Sequence, residues 1–236
     1  MHGLIQINAF HQSPTLIALR AWLQSHSGIG YRFLASLGFC TDELNQLRNA
    51  IKNIICINNL SDRCFQIKDP FDQIGSKKVI IVGSGPSLSL NIKALSDLRE
   101  SFFIVASGSS ISTLLKNGIQ PDVLCILERS YSIYTALLEL SKKHSDLCDV
   151  HLIMSVTADW RISQLFDSFQ YFDRPLSLAS SVIGRLFTPE VELMGPEAVN
   201  ASLEYLITKN LSTAILLGCD FGSISQSEYR SELVYD

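Results

Sequence analysis

The chain has 236 residues, 47% hydrophobic and 18% charged, with a formal net charge of -4. This suffices for one α/β domain plus a smaller helical segment and is too apolar for a disordered, solvating chain. The slight negative charge excludes a global electrostatic footprint for nucleic acid or an anionic membrane, so any phosphate site must be local.

Residues 1–70 read as a helical N-terminal segment and linker, and residues 71–236 as the main domain. Pro14 to Gln24 and Thr41 to Ile57 carry helical spacing. In the second, Thr41-Asp42-Glu43 reads as a cap, with Leu44, Leu47, Ile51 and Ile54 as an apolar stripe. His2, His11 and His26 are scattered, which suits packing or solvent exposure rather than metal ligation. The polar, turn-rich stretch 61–78 reads as the link into the main domain.

The chain is organised around KKVIIVGSGPSLSLNIKALSDL, residues 77–98. Val79 to Val82 is a β-branched run expected as a buried strand, and Gly83-Ser84-Gly85-Pro86-Ser87 is a turn that ends it. Leu88, Ile92, Leu95 and Leu98 then share one helix face, with Ser84 or Ser87 as the expected cap. Glycines that let the backbone approach a ligand, followed by a helix N-terminus, make a phosphate-binding shape. The plain alternative is a tight turn without a ligand. A dinucleotide fingerprint would place a third glycine at 88 and an acid at the end of the next strand; this chain has Leu88 and Ser107. The Gly-Lys-Ser/Thr ending of a P-loop is also absent, so a nicotinamide dehydrogenase and a P-loop kinase are disfavoured.

From Lys78 onward strands and helices alternate, which predicts an α/β, Rossmann-like, mostly parallel sheet with flanking helices. Strands are expected near 78–82, 102–106, 122–127, 150–154 and 213–218, with a short one at 176–179. Helices are expected near 88–99, 109–117, 131–143, 160–168 and 197–209. Ligands in such sheets bind beyond the carboxyl ends of the strands, and that rule selects candidates. After the second strand, Ser107, Gly108 and Ser109 are small and hydroxyl-rich, suited to a ligand near the backbone or to an ordinary helix cap. Asp122, at the start of the third strand, lies at the wrong end for a catalytic acid. Glu128 and Arg129 finish that strand and could hold a ribose, a sugar or a metal-bound phosphate, or form a solvated ion pair. Ser155 to Asp159 supply hydroxyls at the next strand end. Gly195 and Pro196 preset a helix start with outward N–H groups, Asn200 projects one turn in, and Asp220 ends the last strand.

The six cysteines, at 40, 56, 64, 125, 148 and 219, show no metal-ligand spacing, and Cys125 and Cys219 sit in apolar runs as small hydrophobes. No metal site is read from them. With no secretory signal and no apolar run of the roughly 18 to 20 residues a membrane span needs, a cytoplasmic protein with neither nucleic-acid nor membrane partner is expected.

Together VIIVGSGPSLSLNIKAL, LLKNGIQPD, VLCILER, GPEAVNASLEYLI and ILLGCDFG, in this order over about residues 78–222, resemble the motility accessory factor (Maf) flagellin glycosyltransferases. The central domain of that family is related to the MptE-type 6-hydroxymethylpterin pyrophosphokinases. The resemblance implies a Rossmann-like domain that takes a CMP-activated nonulosonic acid, of pseudaminic or legionaminic type, and transfers it to serine or threonine of flagellin without a tightly bound cofactor. It implies nucleotide contacts at Gly83, Ser84, Gly85, Pro86, Ser87 and Asn91, and sugar contacts at Arg129, Gly195, Pro196 and Asn200. Ser107, Gly108 and Ser109 join the nucleotide group by position. Family members usually continue into histidine-containing loops and a further helical domain, whereas no histidine follows His151 here. Glu128 or Asp220 is then the expected base, unless the chain is a truncated module that binds nucleotide without transferring. The pyrophosphokinase alternative would use ATP and Mg²⁺, with Glu128 and Asp220 as carboxylate ligands.

Overall fold

The computed structural model describes residues 42–56, 69–173, 179, 198–211 and 213–220. The chain divides into two compact units, Met1–Leu44 and Asn45–Asp236, and the sheet belongs to the second. The strands are β1 (Lys78–Val82), β2 (Phe102–Ser107), β3 (Val123–Ile126), β4 (His151–Ser155), β5 (Phe169–Phe172) and β6 (Ile215–Leu217). The helices are α1 (42–56), α2 (Pro86–Asp97), α3 (Ser110–Lys116), α4 (Tyr131–Lys143) and α5 (Ala198–Thr208).

All six strands run parallel in the order β5-β4-β3-β2-β1-β6. The chain winds outward from β1 through β5 and then returns to β1's other side. The crevice at the carboxyl ends of β1 and β6 is therefore the topological switch point, where open parallel sheets bind ligands. The continuous apolar strand runs follow from burial on both faces. On one face Ile80, Ile104, Leu124 and Leu152 pack under Leu88 of α2, Leu114 of α3 and Leu137 of α4. On the other, Ile81, Val105, Val123 and Ile153 pack with Phe71 and with Ala201 and Tyr205 of α5.

The expected strands at 78–82, 102–106, 122–127, 150–154 and 213–218 form within a residue or two of their expected bounds. The helix expected at 160–168 does not. Asp159 accepts the Arg161 backbone N–H at 3.1 Å, and the chain tightens into one 3-10 turn, Ile162–Leu165, before Phe169–Phe172 joins the sheet as β5. The aromatic residues Phe169, Tyr171 and Phe172 favour the pleated edge. The strand expected at 176–179 falls almost wholly outside the described residues, as do the Pro14 to Gln24 helix, residues 61–68 of the link, and His2, His11 and His26.

Helix α1 is present, but only half of its expected apolar stripe is covered: Leu47 packs against Ala50, Val156 and Ala179, and Ile54 is half-buried. Leu44 is 60% and Ile51 44% exposed, whereas Gln46, Asn49 and Asn53 are buried. The Asn53 amide donates to Val156 O at 2.7 Å and Ala158 O at 3.0 Å, and accepts the Tyr171 hydroxyl at 3.1 Å. The Asn49 amide donates to Arg129 O at 3.3 Å and Thr157 O at 3.1 Å. Carbonyls beyond the ends of β3 and β4 have no ladder partner, and leaving them dry and unpaired costs more than burying an amide that pairs them. At the opposite edge, Asp122 accepts Ile104 N at 2.7 Å and pairs with Arg99 at 3.1 Å, clamping the starts of β2 and β3. Its role is structural.

Candidate functional site at the carboxyl edge of the sheet

The turn after β1 is laced to the turn after β6. Gly83 N donates to Leu217 O at 2.8 Å, Gly85 N to Gly218 O at 2.7 Å, and Gly218 N to Ser87 Oγ at 3.1 Å. A Cβ on Gly83 would lie 2.5 Å from Gly218 O, and one on Gly218, whose φ is +69°, 2.2 Å from Gly83 O. These two glycines are therefore demanded by the crossing of two backbones, before any ligand is considered.

Neither Ser84 nor Ser87 caps α2. Gly85 is the N-cap residue, makes no side-chain cap bond, and is followed by Pro86 in the first helical turn. The cap comes from across the crevice, where Asp220 Oδ2 accepts Ser87 N at 2.8 Å. A Cβ on Gly85 would lie 2.4 Å from the same oxygen. The anion-seeking end of the helix thus holds a carboxylate supplied by the chain itself. The Asn91 amide turns back to Ser87 O at 2.9 Å.

After β2, the hydroxyls serve the fold. Ser107 Oγ lies 2.9 Å from Ser202 Oγ, which donates to Ala198 O at 2.8 Å, and Ser110 Oγ donates to Val82 O at 2.7 Å while accepting Ser107 N at 3.1 Å. Ser109 is buried and starts α3 without a side-chain cap bond. Gly108, at φ +56°, faces Glu128: a Cβ there would lie 3.4 Å from Glu128 Oε1 and 3.8 Å from Ala198 Cβ. The structure thus gathers Gly108, Glu128 and the beginning of α5, with half-buried Asn200 in that first turn. Glu128 is exposed, and its Oε2 accepts Leu127 N at 3.2 Å. Arg129 is half-buried beside it. Gly195 and Pro196 lie outside the described residues.

Glu128 and Asp220 are not a pair. Their strands, β3 and β6, are separated by β2 and β1, three interstrand steps or about 14 Å. Glu128 Oε1 reaches toward Gly108, in the turn after β2, and Asp220 Oδ2 toward Gly85, in the turn after β1, so the two carboxylates attend different turns of the edge. Among the described residues, the one cluster of three side chains close enough for a metal is Cys148, Asp149 and Asp167. It stands at the starts of β4 and β5, the opposite edge.

Cys125 is fully buried, which pushes its thiol up to about 12, and burial also raises Cys219 beside Gly83. Neither is a thiolate nucleophile. His151, at the amino end of β4, is pushed down to about 4 by burial and stays neutral; its Nδ1 lies 3.0 Å from Ser168 Oγ. It is no base for the carboxyl edge. After β4, Ser155 Oγ and Thr157 Oγ1 bond each other at 2.8 Å, and buried Asp159 grips Arg161 through both carboxylate oxygens, at 2.8 and 2.6 Å. The amide stripe Gln46, Asn49 and Asn53, missed in the sequence, roofs this edge; its signal was polar residues at i, i+3 and i+7.

No helix among the described residues is long and apolar enough to cross a membrane. A comparison with curated proteins finds no match. A solved structure of a MAf glycosyltransferase from Magnetospirillum magneticum AMB-1 is similar, with a TM-score of 0.65 and 25% identity over 91% of this chain and 32% of that one. This chain therefore spans about a third of that protein. Residues 45–226 match the family model described as "6-hydroxymethylpterin diphosphokinase MptE-like", a stretch that takes in the whole sheet and every candidate residue of its carboxyl edge, and on that match the chain belongs to the MptE-like family.

Proposed function

We propose that this chain forms the nucleotide-sugar-binding part of a glycosyltransferase that moves a nonulosonic acid from a CMP donor to serine or threonine of flagellin, in motility. The observation that carries the reading is the likeness to a MAf glycosyltransferase across 91% of the chain, joined to a switch-point crevice without a P-loop lysine. The donor phosphate would sit against the N-terminus of α2, where Ser87 N now meets Asp220, so binding would require that carboxylate to yield. Ser84 and Pro86 would shape the turn, and Arg129 and Asn200 would face the acidic sugar. The acceptor oxygen forms a bond to the anomeric carbon as the bond from that carbon to the phosphate oxygen breaks. CMP leaves with the bonding electrons, and Glu128 takes the hydroxyl proton. Glu128→Gln should lower transfer far more than CMP binding; equal loss of both would make Glu128 structural.

The family description favours a second reading, pyrophosphoryl transfer from ATP to a hydroxymethylpterin. The chain has no Asp-x-Asp pair to hold the Mg²⁺ that this chemistry needs, which weighs against it. Mg²⁺-dependent ATP consumption with a pterin acceptor would establish it over the sugar transferase.

A further inference from the structure

Beyond the crevice, the carboxyl edge carries an aromatic shelf that the phosphate turn does not use. Tyr131 is the first residue of α4, directly after the N-cap Ser130, and is 53% exposed. The Arg161 guanidinium carbon lies 4.1 Å from the Tyr131 ring centroid, 5.3 Å from that of Tyr134 and 5.7 Å from that of Trp160. The Tyr131 and Tyr134 rings are 5.6 Å apart at 31°. Arg161 is itself fixed by both oxygens of Asp159, which is only 3% exposed. Asn49 then bridges Arg129 O and Thr157 O, tying together the two loops that carry Tyr131 and Asp159.

A buried carboxylate is costly unless paired. Here one is spent on holding a guanidinium against one face of a ring that stays more than half bare. That arrangement fixes an exposed aromatic surface in advance, which is how a stacking site lowers its ordering cost. Its place is informative as well. Tyr131 follows β3, two strands from the turn after β1, a span of about 10 Å. In parallel sheets of this winding, a nucleotide with its phosphate on the first turn lays its nucleoside over the ends of the next strands.

We propose that the uncovered face of Tyr131, backed by Arg161, stacks the nucleobase of the donor nucleotide. This rests on the nucleotide-donor reading above and adds to it the site of the base. Tyr131 supplies a π face, whereas its hydroxyl is not required. Asp159, Arg161 and Asn49 act as positioning residues behind it.

The test is calorimetric titration of CMP into the wild-type chain, Tyr131→Ala and Tyr131→Phe, with the bound base protons H5 and H6 followed by NMR. Stacking predicts an upfield ring-current shift of both protons in wild type. The shift should vanish in Tyr131→Ala, where Kd should rise about tenfold or more, and persist with near wild-type affinity in Tyr131→Phe. CMP binding by Tyr131→Ala with wild-type affinity and shift would overturn the stacking site while leaving the donor reading intact. Loss of affinity in Tyr131→Phe equal to that in Tyr131→Ala would assign the effect to the hydroxyl and overturn it too. Absence of CMP binding by the wild type would overturn both readings.

Discussion

Ser87 donates its backbone N–H to Asp220 Oδ2 at 2.8 Å across 133 residues of sequence. The end of the last strand thereby caps the helix that follows the first. On the proposed donor-binding reading, this contact places a carboxylate where the phosphate would be drawn, which makes Asp220 both a stabiliser of the helix start and a competitor for the phosphate. Asp220→Asn keeps an acceptor and removes the charge. It should lower unfolding stability by up to about 1 kcal/mol and tighten binding of CMP and inorganic phosphate. Both effects are read from denaturant unfolding and titration calorimetry; weaker phosphate binding in the variant would instead give Asp220 a direct part in holding the ligand.

Gly218→Ala should destabilise by about 2 to 4 kcal/mol. The new Cβ meets the backbone of Gly83, which has no flexible end to move aside, and the φ of +69° strains any other residue. Gly75 and Gly118 have positive φ with no atom within 4 Å of an added Cβ, so Gly118→Ala should cost less, about 1 kcal/mol. Urea midpoints of the two variants check the ordering.

Asn53→Ala should cost about 2 to 3 kcal/mol in chemical denaturation. It strands Val156 O and Ala158 O in a buried setting and removes one partner of the Tyr171 hydroxyl, which keeps Ser163 Oγ at 3.3 Å. Ile51→Ala, on the exposed face of the same helix, should cost less than 1 kcal/mol. The reverse order would mean that the apolar stripe, and not the amide stripe, is what α1 buries.

His151 gives the fold a pH dependence. Its folded value is depressed to about 4 by burial, against about 6.5 when unfolded. The unfolded chain therefore binds the proton first as pH falls. The stability tied to neutral His151 is complete above about pH 6.5 and is lost progressively toward pH 4, by about 1 to 3 kcal/mol. Unfolding of the wild type and of His151→Leu across pH 4 to 7 should show this slope in the former and a smaller one in the latter.

The strands of the sheet were legible because parallel strands buried on both faces leave unbroken runs such as Val79 to Val82. Tyr131 to Lys143 was legible as a helix because its apolar period and Ser130 cap agree. What local pattern could not carry was the pairing of distant groups. Asp220 as cap for α2, Gly218 against Gly83, and Asn53 against the β4 loop each join residues more than 100 positions apart. β5 was hidden behind the helix expected at 160–168, and the amide face of α1 was not readable because the carbonyls it pairs lie 80 or more positions away. Within the candidate site, Gly83, Gly85, Glu128 and Asp220 do reach the carboxyl edge. Their separation along it was not readable, because strand order is a property of the whole sheet.

The measurement that tests the central claim most directly is thermal unfolding with CMP, CTP, ATP and GTP, each with and without Mg²⁺. At ligand near 100 times Kd the stabilisation is about 2.7 kcal/mol, which for a chain of this size raises Tm by about 5 to 11 °C. The sugar-transferase account predicts a cytidine-selective rise that does not need Mg²⁺. A rise confined to ATP with Mg²⁺, or no rise with any nucleotide, would contradict it.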